Sequence, residues 1–162
     1  MQGIFNFFSF LGREGALFIV SMIPLIELRG SILLGAAMKM DWVSVYIICV
    51  IGNLLPVPFI VLFGKKLIGW LKTTRLLSGI THKIESRLMK KADQVTKYSL
   101  IGLCLFVAVP LPGTGAWSGA AIAALLNMKM RHAFISITIG VLIAGVIMTI
   151  GSYGLWSVIW ML

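Results

Sequence analysis

The sequence predicts an all-α integral membrane protein of two inverted repeats, each a re-entrant helical hairpin followed by a transmembrane helix, joined by a basic amphipathic linker helix in the cytoplasm. Three observations predict it. The 162 residues are 59% hydrophobic and 12% charged, with a mean hydropathy of +1.02, where a soluble domain would carry about 25% charged residues. Two apolar stretches are broken midway by residues that sit badly in lipid, Pro24-Leu25-Ile26-Glu27-Leu28-Arg29-Gly30 and Pro110-Leu111-Pro112-Gly113-Thr114-Gly115. The net charge is +9, and nine of the fourteen basic residues fall between Lys65 and Lys97, where Glu85 and Asp93 are the acids.

Taken in order, Met1 to Gly12 is aromatic-rich and lacks a basic start and a small-x-small cleavage site, so residues 1–14 read as a retained interfacial helix. A helix needs about 20 residues to cross about 30 Å of hydrocarbon. The arms Ala16 to Ile26, Ser31 to Met38, Tyr98 to Val109 and Ala116 to Met128 reach only about 12 to 20 Å, whereas Trp42 to Gly64 and Ala133 to Tyr153 are long enough to span. The same order therefore occurs twice: half-helix, proline-initiated break, half-helix, a Met-Lys-Met corner (Met38-Lys39-Met40 and Met128-Lys129-Met130), full span. This divides a single membrane domain, 1–162, into repeat 1 at 16–64, a linker at 65–97 and repeat 2 at 98–155. In the linker, Leu67, Leu71, Leu77, Ile80, Ile84 and Leu88 recur at helical spacing while Lys83, Arg87, Lys90 and Lys91 take other faces, the pattern of a helix on the inner leaflet. Trp70, Trp156 and Trp160 suit interfacial anchors.

Charge orients the chain. The positive-inside rule puts the linker in the cytoplasm. If each broken segment turns back, Arg13 and Glu14 balance Lys39 and Asp41 outside, while Lys129 and Arg131 join the linker inside. Full crossing of both segments would strand Lys129 and Arg131 on the other face. Two hairpins entering from opposite faces, with tips near the midplane, is the plan of an inverted-repeat transporter. A basic patch beside membrane segments serves topology and anionic lipid, so membrane lipids rather than nucleic acid are the expected partners.

Glu27 and Arg29 are the ionisable residues expected deep in the membrane, where each charge costs about 2.5 to 3.5 kcal/mol. They form either a salt bridge that holds the tip, or a site in which Glu27 exchanges a proton or binds a cationic group while Arg29 holds an anion. In the second break, Gly113, Thr114 and Gly115 precede a helix starting near Ala116 and suit an anionic group, with Thr114 as cap or ligand and Pro112, Trp117 and Ser118 beside it. The glycines equally serve to turn the chain. Gly30 and Ser31 open the other outgoing arm, Ser31 as a cap. Asn53 interrupts the first span together with Pro56 and Pro58, and makes either a polar contact to a hairpin tip or a helix-to-helix hydrogen bond. Cys49 and Cys104 read as packing residues. His82 and His132 lie away from the breaks and cannot activate Ser118, and no metal-ligand spacing occurs. No catalytic residue, metal or cofactor is expected, and an enzyme is disfavoured.

The run Ile26-Glu27-Leu28-Arg29-Gly30-Ser31 followed by Leu34-Gly35, with Pro110 through Trp117-Ser118-Gly119, resembles the small multidrug export protein family of bacteria and archaea, distantly related to the DedA (SNARE-associated, VTT-domain) superfamily. The likeness extends from about Ala16 to Tyr153, with Leu33 where the family pattern has proline. It implies a multi-pass protein of the cell (inner) membrane. DedA-like relatives are implied to be proton-dependent and to return undecaprenyl phosphate across the membrane, and they carry arginines near the second hairpin that Pro110 to Gly119 lacks. The resulting expectations are a proton-coupled transporter of an amphipathic substrate with an anionic head group, an exporter of lipophilic cations, or a non-transporting membrane adapter. Two full spans can hardly enclose a path alone, so a homodimer is expected.

Overall fold

In a computed structural model the chain is described at residues 2–73, 86, 99–111 and 113–159, with side chains at 12–64, 66, 86, 100–111 and 113–154. Most of the linker, 65–97, therefore lies outside the described residues, as does Pro112. Among the described residues the structure is helical without strands. The helices are α1 (Gln2–Ser21), α2 (Glu27–Ala37), α3 (Trp42–Leu54), α4 (Val57–Thr73), α5 (Ser99–Ala108), α6 (Ala116–Leu125) and α7 (Met130–Ile159). Two stretches, Trp42–Gly64 and Met130–Gly154, are long and apolar enough to cross a membrane. They form two compact units, Met1–Leu55 with Val141–Leu162, and Pro56–Gly140.

In the first unit, α1 kinks at Gly12 (φ 69°, ψ 175°), which separates the N-terminal segment from the arm that ends at Ser21. The chain turns and returns as α2, turns again at Lys39 (φ 55°), and enters α3, which Asp41 caps by accepting from the Ser44 amide at 3.0 Å. The core is Leu17, Leu28, Ile32, Val45 and Cys49, all 2% exposed or less. Close approach depends on glycine: a Cβ on Gly35 would lie 2.6 Å from Val45, and one on Gly52 would lie 2.8 Å from the Phe18 carbonyl. The later part of α7 is tied to this unit by Tyr46, whose hydroxyl donates to the Leu142 carbonyl (3.2 Å), and by Tyr153, which donates to the Met40 carbonyl (3.0 Å).

The second unit repeats the plan with α5 going in, α6 coming out and the first part of α7 leading on. Its core includes Leu103, Val107, Ala116, Ala120, Ile122 and Ile137. A Cβ on Gly140 would lie 2.7 Å from the Cys104 carbonyl. Helix α4 packs on α6, with Gly64 against Ala124.

The corners after α2 and α6 share one bonding pattern, at a spacing different from that of the Met-Lys-Met triplets. The α2 end is closed by bonds from Met38 N to Leu34 O, Lys39 N to Ala36 O and Met40 N to Gly35 O; the α6 end by Leu126 N to Ile122 O, Asn127 N to Ala124 O and Met128 N to Ala123 O. Each pair lies 88 positions apart. Residues 28, 31, 32, 35 and 36 of α2 are buried, as are 116, 119, 120, 123 and 124 of α6, and α3 and α7 start at Trp42 and Met130 in the same register. The ingoing arms differ by 86 instead, since Leu17 matches Leu103 and the carbonyl of Phe18 matches that of Cys104. The second break is therefore two residues longer. The true counterpart of Lys39 is Asn127 (φ 51°): the corner is defined by one left-handed residue, which asparagine tolerates well, and the methionines fall two positions out of step.

Several expected boundaries also shift. The first arm stops at Ser21, and α2 begins at Glu27 because the Glu27 amide donates to Ile23 O (2.8 Å) and that of Gly30 to Ile26 O (2.9 Å). The long stretch from Trp42 is interrupted at Leu55-Pro56, where proline offers no amide. Helix α7 starts at Met130, ahead of Ala133.

Candidate functional site

The break after Ser21 puts Glu27 at the first position of α2 with φ 49°, a left-handed conformation that costs a non-glycine residue about 1 kcal/mol or more. The residue is 9% exposed, in a unit whose buried core is mostly apolar. Arg29, half-buried two residues on, lies within electrostatic reach of it. The tip carries no aqueous character: Leu25 is 94% exposed and Ile23 39%. At the second tip the corresponding Leu111 and Val109 are 57% and 44% exposed.

Ser31 does not cap α2, contrary to the reading from sequence. The helix starts four residues earlier, so Ser31 stands in its second turn and its hydroxyl donates back to the Glu27 carbonyl, as mid-helix serines do. Its side chain also bonds Cys49 on α3. Gly35 against Val45 and Ser31 against Cys49 set α2 and α3 in antiparallel register. Asn53 is 2% exposed, and its Oδ1 has no hydrogen-bond partner among the described residues. Gly30 is kept small by Ile26, whose Cγ2 would lie 2.5 Å from an added Cβ. Glu27, Arg29, Gly30, Ser31 and Asn53 thus belong to one unit.

Gly113, Thr114, Gly115, Trp117 and Ser118 belong to the other unit. Gly113 (φ 76°) and Gly115 (φ 158°) supply the conformations that the longer break requires. Thr114 is not a cap either. The N-cap of α6 is Gly115, without a side-chain bond, and the Thr114 hydroxyl is directed to the carbonyls of Val109 and Leu111, 2.8 Å from each. It locks the turn. Ser118 donates weakly to the Gly115 carbonyl at 3.3 Å.

Sequence reasoning missed the polar residues of α7. Thr149 and Ser152 are 8% and 7% exposed, and both hydroxyl oxygens lack a partner among the described residues. Tyr153 beside them lies within electrostatic reach of Asp41 and Cys49. The available signal was their spacing, since positions 149, 152 and 153 share one helical face. At the mouth of the same unit, a depression of about 370 Å³ is lined by Gly12, Arg13, Glu14, Lys39, Met40, Asp41 and Ser44. In the second unit, a groove of about 320 Å³ between α5 and α7 is apolar apart from His132 and Ser136.

A family model described as "Putative small multi-drug export protein" matches residues 27–147. No curated protein and no solved structure matches the chain.

Proposed function

The chain belongs to the small multi-drug export protein family, and from that premise we propose a proton-coupled transporter in which Glu27 carries the proton and Arg29 holds the anionic head group of an amphipathic substrate. A polyprenyl phosphate such as undecaprenyl phosphate has that chemistry. The observation that carries the reading is Glu27 itself: a carboxyl 9% exposed, in a strained backbone conformation, beside an arginine, in a chain built for lipid. Ionisable groups so placed mark substrate or proton pathways.

Re-entrant, inverted hairpins support this use. Helices α2, α5 and α6 have 11, 10 and 10 residues, about 15 to 17 Å each and near half the hydrocarbon thickness. Their tips expose leucine, which suits a turn inside a bilayer better than one in water. The matched corners, burial pattern and glycine contacts favour two copies of one hairpin-plus-helix unit, and each compact unit holds one hairpin, the first part of the helix that follows it and a later segment of the other repeat. Inverted repeats of this kind bind substrate where broken helices end. A homodimer in the bacterial or archaeal inner membrane, with the 65–97 linker cytoplasmic, completes the proposal.

The family description favours a second reading, export of lipophilic cations, with Glu27 as the binding carboxylate and Arg29 a competitor for it. Transport into proteoliposomes separates the two. Arg29→Ala abolishes movement of a polyprenyl phosphate under the first reading, and leaves unchanged or improves efflux of a lipophilic cation under the second. Glu27→Gln abolishes both; full transport in that variant overturns Glu27 as the coupling group, and transport of neither substrate by the unaltered chain leaves a membrane adapter as the role.

A further inference from the structure

The unit that contains Glu27 has a polar seam that its packing does not explain. From the charged depression at its mouth, the Tyr153 hydroxyl reaches the Met40 carbonyl and lies within electrostatic reach of Asp41 and Cys49. Cys49 in turn bonds Ser31, and Ser31 bonds the Glu27 backbone. The same unit holds three buried oxygens without partners among the described residues, those of Ser152, Thr149 and Asn53, in residues 7%, 8% and 2% exposed, while the other unit holds one, that of Thr138. Buried polar atoms are almost always satisfied, and where protein does not satisfy them water does. Three such atoms, on a unit that also holds a charged depression and a buried carboxyl, can anchor a file of water.

We propose that this seam is a hydrated proton path, opening between Arg13, Glu14, Lys39 and Asp41 and running between α2, α3 and the later part of α7 to the carboxyl of Glu27. Along it an O–H bond forms on Glu27 as one breaks on the neighbouring water, each water passing on one proton and receiving another, so the file is left unchanged. The charged and titratable groups along it are Arg13 and Glu14 on α1, Arg29 on α2, Lys39 at the corner, Asp41 capping α3, Cys49 on α3 and Tyr153 on α7. The path makes Glu27 accessible from one face alone, the face of the first corner. It rests on the reading of Glu27 as the proton carrier.

The test uses the full chain reconstituted in one orientation. Infrared spectroscopy follows the Glu27 carboxyl band, assigned by its loss in Glu27→Gln, after a pH jump on either side. Protonation is expected to follow acidification of the Lys39/Asp41 face. The double variant Thr149→Val, Ser152→Ala is expected to slow it at least ten-fold with the same final amplitude, and not to raise the melting temperature, since hydroxyls satisfied by water gain nothing from removal. An unchanged rate, protonation from the opposite face, or a higher melting temperature, the sign of dry hydroxyls, overturns the path while leaving Glu27 a proton carrier. A Glu27 band that does not titrate overturns the carrier reading and the path together.

Discussion

At Glu27 the side chain and the backbone pull in different directions. At φ 49° glycine is the least strained residue, so Glu27→Gly should be more stable than Glu27→Ala by about 1 kcal/mol, the reverse of their order in an ordinary helix interior. Both remove the carboxylate, so the difference isolates the backbone, and thermal unfolding in detergent reads it directly. The chemistry of this position was legible in sequence, because a charge pair in an apolar run is conspicuous. The roles of Ser31 and Thr114 were not. Capping depends on where the helix starts, and the Glu27 amide on Ile23 O carries that start back into the charged segment. Thr114 is spent on the two carbonyls of a turn whose length the sequence does not announce. Asn53 stood out by its polarity, while Thr149 and Ser152 passed unremarked among apolar neighbours.

At the level of helices, glycine sets the spacing. Gly52 and Gly140 meet a backbone carbonyl at 2.8 and 2.7 Å from a Cβ, and carbonyls do not rotate away as side chains do. Gly52→Ala and Gly140→Ala should each destabilise by about 1 to 3 kcal/mol, the cost of forcing helices apart, and by similar amounts in the two halves. Gly151, with nothing within 4 Å, serves as the control. Its replacement by alanine should be neutral or stabilising by up to about 1 kcal/mol; comparing melting temperatures of the three variants checks this. The proline-initiated breaks and the half-length arms could be read from sequence, because proline and length are local signals. The repeat register could not: identical Met-Lys-Met triplets are spaced 90 apart, whereas the corners they adjoin are spaced 88 apart, and the eye follows identity over backbone conformation.

For the molecule as a whole, lipid is the solvent that the surface fits. On α7 the side chains of Ile135, Ile139, Leu142, Ile143, Val146, Ile147 and Ile150 are each 39% to 69% exposed along a single stripe, one that water would penalise and acyl chains would not. The membrane character was therefore plain from composition. Sidedness is testable by single cysteines in a background lacking Cys49 and Cys104. Replacements at Arg13 and Lys39 should react with an impermeant reagent from one face, and a replacement at Lys129 from the other. Reaction of Arg13→Cys and Lys39→Cys from different faces would mean that the first hairpin crosses.

The division into units has a consequence for how the protein is made. The unit around Glu27 includes Val141–Leu162, and the two tyrosine ties reach residues at the far end of the chain. The ribosome thus delivers Glu27 early and the closing segment of its unit last. Until the final helix emerges, that unit lacks the residues that Tyr46 and Tyr153 tie together, and a message cut short before α7 would yield a chain whose first unit is unfinished.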